Sequence, residues 1–184
     1  MPTTTIRLSG VVKESIVDGK GLRFVVFCQG CPHHCPECHN PQTHDFDAGT
    51  DTDIQKIVDE VQKNPMLQGV TFSGGEPFCQ AEAFAELAKR LKAANRKLDL
   101  MAYSGWTYEQ LLKKAETEPA VGELLRLCDT LVDGPFIAAQ KDLTLRYRGS
   151  KNQRYIDLVR TRITGKVTLM EEGGYSDRRS RYRL

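Results

Sequence analysis

Apolar positions follow two rhythms along the chain. Ile54, Ile57, Val58 and Val61 fall on one helical face, and Phe84, Leu87, Ala88 and Leu91 repeat the pattern within residues 81–94. Residues 22–28 are a β-rich run without helical period, which predicts a buried strand, and residues 69–72 and 97–103 read as further strands. Residues 6–13 and 14–17 read as two further short strands before a turn at Asp18-Gly19-Lys20-Gly21. Thr52 and Gln55 have capping-box spacing for the first helix, and Pro65 closes that region. Thr107 caps a helix running to about Lys114, and residues 120–127 predict another. Residues 130–132 form a strand ending at Asp133. The remainder is irregular, with short strands expected at 155–159 and 166–169.

Strands alternating with helices predict an α/β fold with a mostly parallel sheet and right-handed crossovers. The chain has room for four or five βα units, short of a closed eight-fold barrel. In an open sheet or a partial barrel, chemistry sits where strand C-terminal ends feed loops. The loops after Cys28, Phe72 and Val132 occupy such positions.

A length of 184 residues fits one domain large enough to fold without disulfides. The net charge of +2 gives no strong bulk attraction to nucleic acid or membrane. The N-terminus lacks the basic head and apolar stretch of a signal peptide, and no apolar run reaches the roughly 20 residues that span a bilayer. The expected compartment is therefore the cytoplasm, where clustered thiols point to metal binding or catalysis.

Such a cluster lies between Phe27 and Pro41, where Cys28, Cys31, Cys35 and Cys38 share one short loop with His33, His34 and His39. Two C-x-x-C pairs suggest zinc, but only Pro32, His33 and His34 separate them, too few for opposed zinc knuckles. A histidine, His44 included, could complete a zinc set instead. The rival is an iron–sulfur cube held by Cys31, Cys35 and Cys38, whose fourth iron would stay open. Cys28 reads as a packing residue or near neighbour of the site, and Cys79 and Cys128 as small core residues.

Cys31-x3-Cys35-x2-Cys38 followed by His39-Asn40 resembles the signature of the radical S-adenosylmethionine superfamily, and within it the glycyl-radical-enzyme activating proteins. That superfamily's domain is a partial (βα) barrel. The resemblance implies a [4Fe–4S] cluster on Cys31, Cys35 and Cys38, with S-adenosylmethionine chelating the open iron. It also implies backbone contacts to adenine from Glu37, Cys38 and His39; Glu37 stands where many members carry an apolar residue. Gly74, Gly75, Glu76 and Pro77 resemble the motif that binds the cofactor's amino group, although as a bare sequence they also read as a turn into a helix. Ser104 and Asp133 match strand-end positions near the cofactor. Trp106 reads as packing, and Asp133 has an alternative reading as a turn residue.

Three further strings narrow the resemblance: Asp18-Gly19-x-Gly21-Leu22-Arg23, Asp133-Gly134-Pro135-Phe136, and Arg148-Gly149-Ser150-x-Asn152-Gln153-Arg154. With Lys141-Asp142-Leu143, they resemble the anaerobic ribonucleoside-triphosphate reductase activating proteins over about Ile6 to Ile156, leaving residues 157–184 as a C-terminal extension. The implied activity is reductive cleavage of S-adenosylmethionine, followed by hydrogen abstraction from a glycine of the reductase. The implied partners are that reductase and a low-potential electron donor such as a flavodoxin, with no membrane and no specific nucleic acid. Arg146, Arg148 and Arg154 could meet an acidic partner surface or the cofactor's carboxylate. The tail carrying Arg178, Arg179, Arg181 and Arg183 reads as a frayed terminus, with electrostatic docking as the rival. Two alternatives stand beside this reading: an activase of another glycyl-radical enzyme, and a non-catalytic zinc-binding module.

Overall fold

The computed structural model describes residues 3–171; the basic tail at residues 178–183 lies outside them. The first strand, β1 (Thr5–Ser15), is one element rather than the two expected. Register shifts between Leu8 and Gly10 and between Val12 and Ser15 bend it without breaking it, as bulges do. β2 (Arg23–Cys28) follows, antiparallel to β1 and buried along nearly its whole length.

β3 (Thr50–Asp53) was absent from the expected elements. Its sequence, TDTD, has no apolar alternation, because it is a polar edge strand added to the first half of β1. This strand moves the cap of α1 (Ile54–Gln62) from Thr52 to Asp53, whose Oδ1 accepts from the Gln55 N–H at 2.7 Å. The apolar face of α1 is as the periodicity predicts: Ile54, Ile57, Val58 and Val61 are buried.

The middle of the chain alternates β4 (Gly69–Gly74), α2 (Ala81–Ala94), β5 (Asp99–Tyr103), α3 (Tyr108–Ala115), α4 (Pro119–Leu127) and β6 (Thr130–Asp133). Thr107 forms a full capping box with Gln110 at the start of α3. β7 (Arg154–Asp157) stops short of the expected strand, because Asp157 caps α5 (Leu158–Thr164) by accepting from the Arg160 N–H at 2.9 Å. The strand expected at 166–169 is only an isolated bridge from Leu169 to Ile156.

Among the described residues, seven strands run in the order β3-β1-β2-β4-β5-β6-β7. The central four, β2, β4, β5 and β6, are parallel, and antiparallel strands flank them. The fold is thus mixed α/β around a parallel centre. α2 packs between α1 and α4, and α3 packs on α4. The helices and one side of the sheet share the main core, with Phe24, Val26, Phe72, Leu100 and Leu131 meeting Ile57, Phe84, Leu87 and Leu124. Alternation turns Met101, Val132 and Tyr155 to a second cluster, packed by Tyr103, Tyr147 and Met170.

Arg23 is only 1% exposed. Its guanidinium donates to Thr71 Oγ1 at 2.7 Å and to the Val70 carbonyl at 3.0 Å, and pairs with Asp99 at 3.0 Å. A charge can stay buried when its donors are occupied in this way. Cys128 is buried as expected, whereas Cys79 is exposed: it follows Phe78, which takes the inward position of that turn. No helix among the described residues is long and apolar enough to cross a membrane.

Candidate functional site

The C-terminal ends of the parallel strands stop together. Cys28 on β2 pairs with Gly74 on β4, and Tyr103 on β5 with Val132 on β6. The cysteine loop leaves β2 through a stem of backbone bonds: Gly30 N–H to Thr43 O at 2.8 Å and Cys31 N–H to His44 O at 3.1 Å. Gln29 fastens the far side by donating to the Gln42 and Asp45 carbonyls. Beyond the stem, His34 and Glu37 adopt positive φ, and Cys38 N–H closes onto Cys35 O at 3.1 Å. These tight reversals hold Cys31, Cys35 and Cys38 in one region.

Cys31 is buried, while Cys35 and Cys38 are half-buried. Burial pushes the Cys31 thiol up to about 11; the His33 backbone N–H opposes this, and the negative fields of Glu76, Cys35 and Cys38 add to it. The Asn40 N–H donates to Cys38 Sγ at 3.4 Å, the kind of contact that tunes a ligating sulfur. Three soft donors on one loop fit an iron–sulfur cluster. Among the described residues, no three His, Cys, Asp or Glu side chains converge as ligands of a single ion would. Cys28 is outside this set: it is fully buried, and Gln80 Nε2 donates to its sulfur at 3.1 Å.

Gly74 and Gly75 seat the neighbouring loop against this one. Gly74 has φ 87°, and a Cβ there would come within 2.7 Å of the Cys28 nitrogen. A Cβ on Gly75 would come within 2.4 Å of the Gly30 carbonyl oxygen. The close approach allows Gly75 N–H to reach Cys28 O and Glu76 N–H to reach Gly30 O, each at 2.8 Å. Pro77 is buried and opens a short 3-10 turn, with Glu76 as its cap.

The family model described as a 4Fe-4S single cluster domain matches residues 17–156. An anaerobic ribonucleoside-triphosphate reductase-activating protein from Haemophilus influenzae is 31% identical over 144 residues, covering 75% of this chain and 89% of that one. The Vibrio cholerae protein of the same name is 33% identical over the same shares. The chain belongs to the anaerobic ribonucleoside-triphosphate reductase-activating protein family. A pyruvate formate-lyase-activating enzyme from Listeria monocytogenes is 41% identical over 93 residues, 48% of this chain and 38% of that enzyme.

In this family member, Glu76 is fully buried and its carboxylate is occupied by the chain itself. Oε1 accepts from the Phe78 N–H at 3.1 Å, and Oε2 from Gly105 N–H at 2.8 Å and Ser104 Oγ at 3.1 Å. His33 Nε2 lies 2.7 Å from the same Oε2. Ser104 is therefore beside Glu76, with its backbone N–H tied to Val132 O. Trp106 is packing, as expected, with its ring edge-to-face on His33 at 4.6 Å.

Asp133 is 1% exposed at the end of β6. It accepts from the Tyr108 N–H at 2.7 Å and from Arg154 Nε at 3.1 Å. Arg154 also donates to Glu109, at 2.7 Å, so it is an internal clamp rather than a group directed at a partner. Glu37 and His39 lie on the exposed outer part of the cysteine loop, with the His39 ring 5.0 Å from Phe136 in the loop after β6.

The string from Arg148 to Arg154 is likewise architectural. Gln153 Oε1 accepts from the Gly149 and Ser150 N–H groups, and its Nε2 donates to Gly134 O. Asn152 donates to Pro135 O at 2.7 Å, and Ser150 Oγ accepts from the Ile137 N–H. These bonds tie residues 149–153 to the loop after β6. Sequence reasoning missed His33 and Gly105. His33 was one of several loop histidines, and nothing local marks Gly105 as the glycine that makes room for its ring.

Proposed function

We propose that this chain is a radical S-adenosylmethionine activase that installs a glycyl radical on anaerobic ribonucleoside-triphosphate reductase. The observation that carries the reading is the meeting of the three-cysteine loop and the double-glycine loop at adjacent parallel strand ends. It occurs in a chain whose relatives are reductase-activating proteins over most of their length. In this reading Cys31, Cys35 and Cys38 hold a [4Fe–4S] cluster. When bound, that cluster supplies the electron that cleaves S-adenosylmethionine.

The chain's own residues bind, orient and shield. Cys31 sits behind the loop stem, away from water. Gly74 and Gly75 bring backbone close to the site, with Glu76 and Pro77 fixing that loop and Ser104 and Asp133 forming the neighbouring strand ends. Glu37, Cys38 and His39 offer backbone groups to adenine. The sheet is read as a partial (βα) barrel, open at this end for a protein substrate. The electron would come from a low-potential donor such as a flavodoxin, and the reaction would belong in the cytoplasm.

Anaerobic reconstitution tests the chemistry. The expected product is a coloured protein with about four iron and four sulfide per chain, which releases methionine and 5′-deoxyadenosine from S-adenosylmethionine on reduction. A colourless protein that holds only stoichiometric zinc under the same conditions would contradict the reading.

A further inference from the structure

The Glu76 carboxylate is out of water, and a buried carboxylate is tolerated only when hydrogen bonds replace its solvent. Of its four donors, Phe78, Ser104 and Gly105 come from the loops after β4 and β5. The fourth, His33, comes from the cysteine loop, between Cys31 and Cys35. Its side chain is 15% exposed and its ring is seated on two sides. Trp106 meets it edge-on, and residue 105 has to lack a side chain, because a Cβ there would stand 2.3 Å from the imidazole Cδ2. The contact is thus built into two loops rather than made by a passing surface histidine.

Backbone bonds at Cys28 and Gly30 fasten the start of the cysteine loop to residues 75 and 76. They do not reach its middle, where the spacing between Cys31 and Cys35 is set. His33 does, and it ends on the carboxylate that also holds Ser104 and Gly105. We propose that His33 is a positioning residue: through Glu76 it locks the cysteine loop to the loops after β4 and β5, and so sets how tightly the assembled site takes up S-adenosylmethionine. This rests on the function proposed above. In that function the cofactor would be held between the cysteine loop and the strand-end loops, so a slack joint between the two would weaken binding without removing a ligand.

The test compares His33→Phe, His33→Gln and Gly105→Ala with the wild-type chain after anaerobic reconstitution. Phenylalanine keeps a ring against Trp106 but donates nothing; glutamine restores an N–H donor; alanine at 105 displaces the ring without changing residue 33. Iron and sulfide content is measured first. S-adenosylmethionine affinity is then read by titrating the change it causes in the reduced cluster's electron paramagnetic resonance spectrum, with no turnover required. Loss of a hydrogen bond to a charged group predicts a dissociation constant raised about tenfold or more in His33→Phe and Gly105→Ala, with the cluster intact and most of the affinity recovered in His33→Gln. Wild-type affinity in His33→Phe with an intact cluster would overturn the proposal. So would loss of the cluster in both His33→Phe and Gly105→Ala, which would make the residue a determinant of assembly instead. If the wild-type chain itself holds no cluster, the proposed function fails, and that outcome is distinct from either.

Discussion

Cys35 and Cys79 are both thiols near the same end of the sheet, yet they should respond differently to removal. Cys35→Ala takes one of three donors from the loop and should abolish the cluster, read as loss of iron, sulfide and colour. Cys79→Ala should leave it assembled, because Cys79 lies exposed on the turn after Pro77. Cys28→Ala should also keep the iron, since that sulfur faces Gln80. Gly75→Ala drives a Cβ into the Gly30 carbonyl, which cannot move without the loop stem. A destabilisation of about 1–3 kcal/mol is expected in chemical denaturation of the apoprotein. At this scale the cysteine spacing and the double glycine were legible in the sequence, because covalent neighbours supply the pattern. The role of Glu76 as a shared acceptor was not, since His33 and Gly105 reach it from 43 and 29 residues away in the chain.

Among the elements, sequence pattern identified the strands β2, β4, β5 and β6 as short runs and the faces of α1 and α2 by their period, and the apolar residues of those two faces meet one core. It failed where pairing, not pattern, makes the element. β3 exists because the first half of β1 offers an open edge, and its arrival moves the cap of α1. Asp53→Ala should therefore cost about 0.5–2 kcal/mol by denaturation, and Thr52→Ala much less. The stretch after β6 was illegible for a similar reason: Ser150, Asn152 and Gln153 act through side-chain bonds to residues 134–137. Among the described residues, Arg154→Met would leave the buried Asp133 carboxylate only the Tyr108 N–H, and a loss of about 3 kcal/mol is expected. The Arg154 hydrogen bond also holds Glu109 below the usual carboxylate range. Its contribution is present at neutral pH and lost as pH falls through that lowered value, so the wild-type margin over Glu109→Gln in thermal melts should shrink in acid.

For the whole molecule, the parallel centre of the sheet puts the loops after β2, β4, β5 and β6 at one end, and antiparallel strands flank that centre on both sides. The first half of that statement followed from alternating strands and helices. The flanks did not, because β1, β3 and β7 pair antiparallel through contacts far apart in sequence. The central claim is that the radical ends on the reductase. It is tested most directly by mixing the reconstituted chain with anaerobic ribonucleoside-triphosphate reductase, S-adenosylmethionine and a low-potential reductant, and recording the electron paramagnetic resonance spectrum. The account predicts a glycine-centred radical on the reductase, formed with matching amounts of 5′-deoxyadenosine and lost when Cys35→Ala replaces the wild-type chain. An intact cluster that cleaves S-adenosylmethionine yet leaves the reductase without that radical would contradict it.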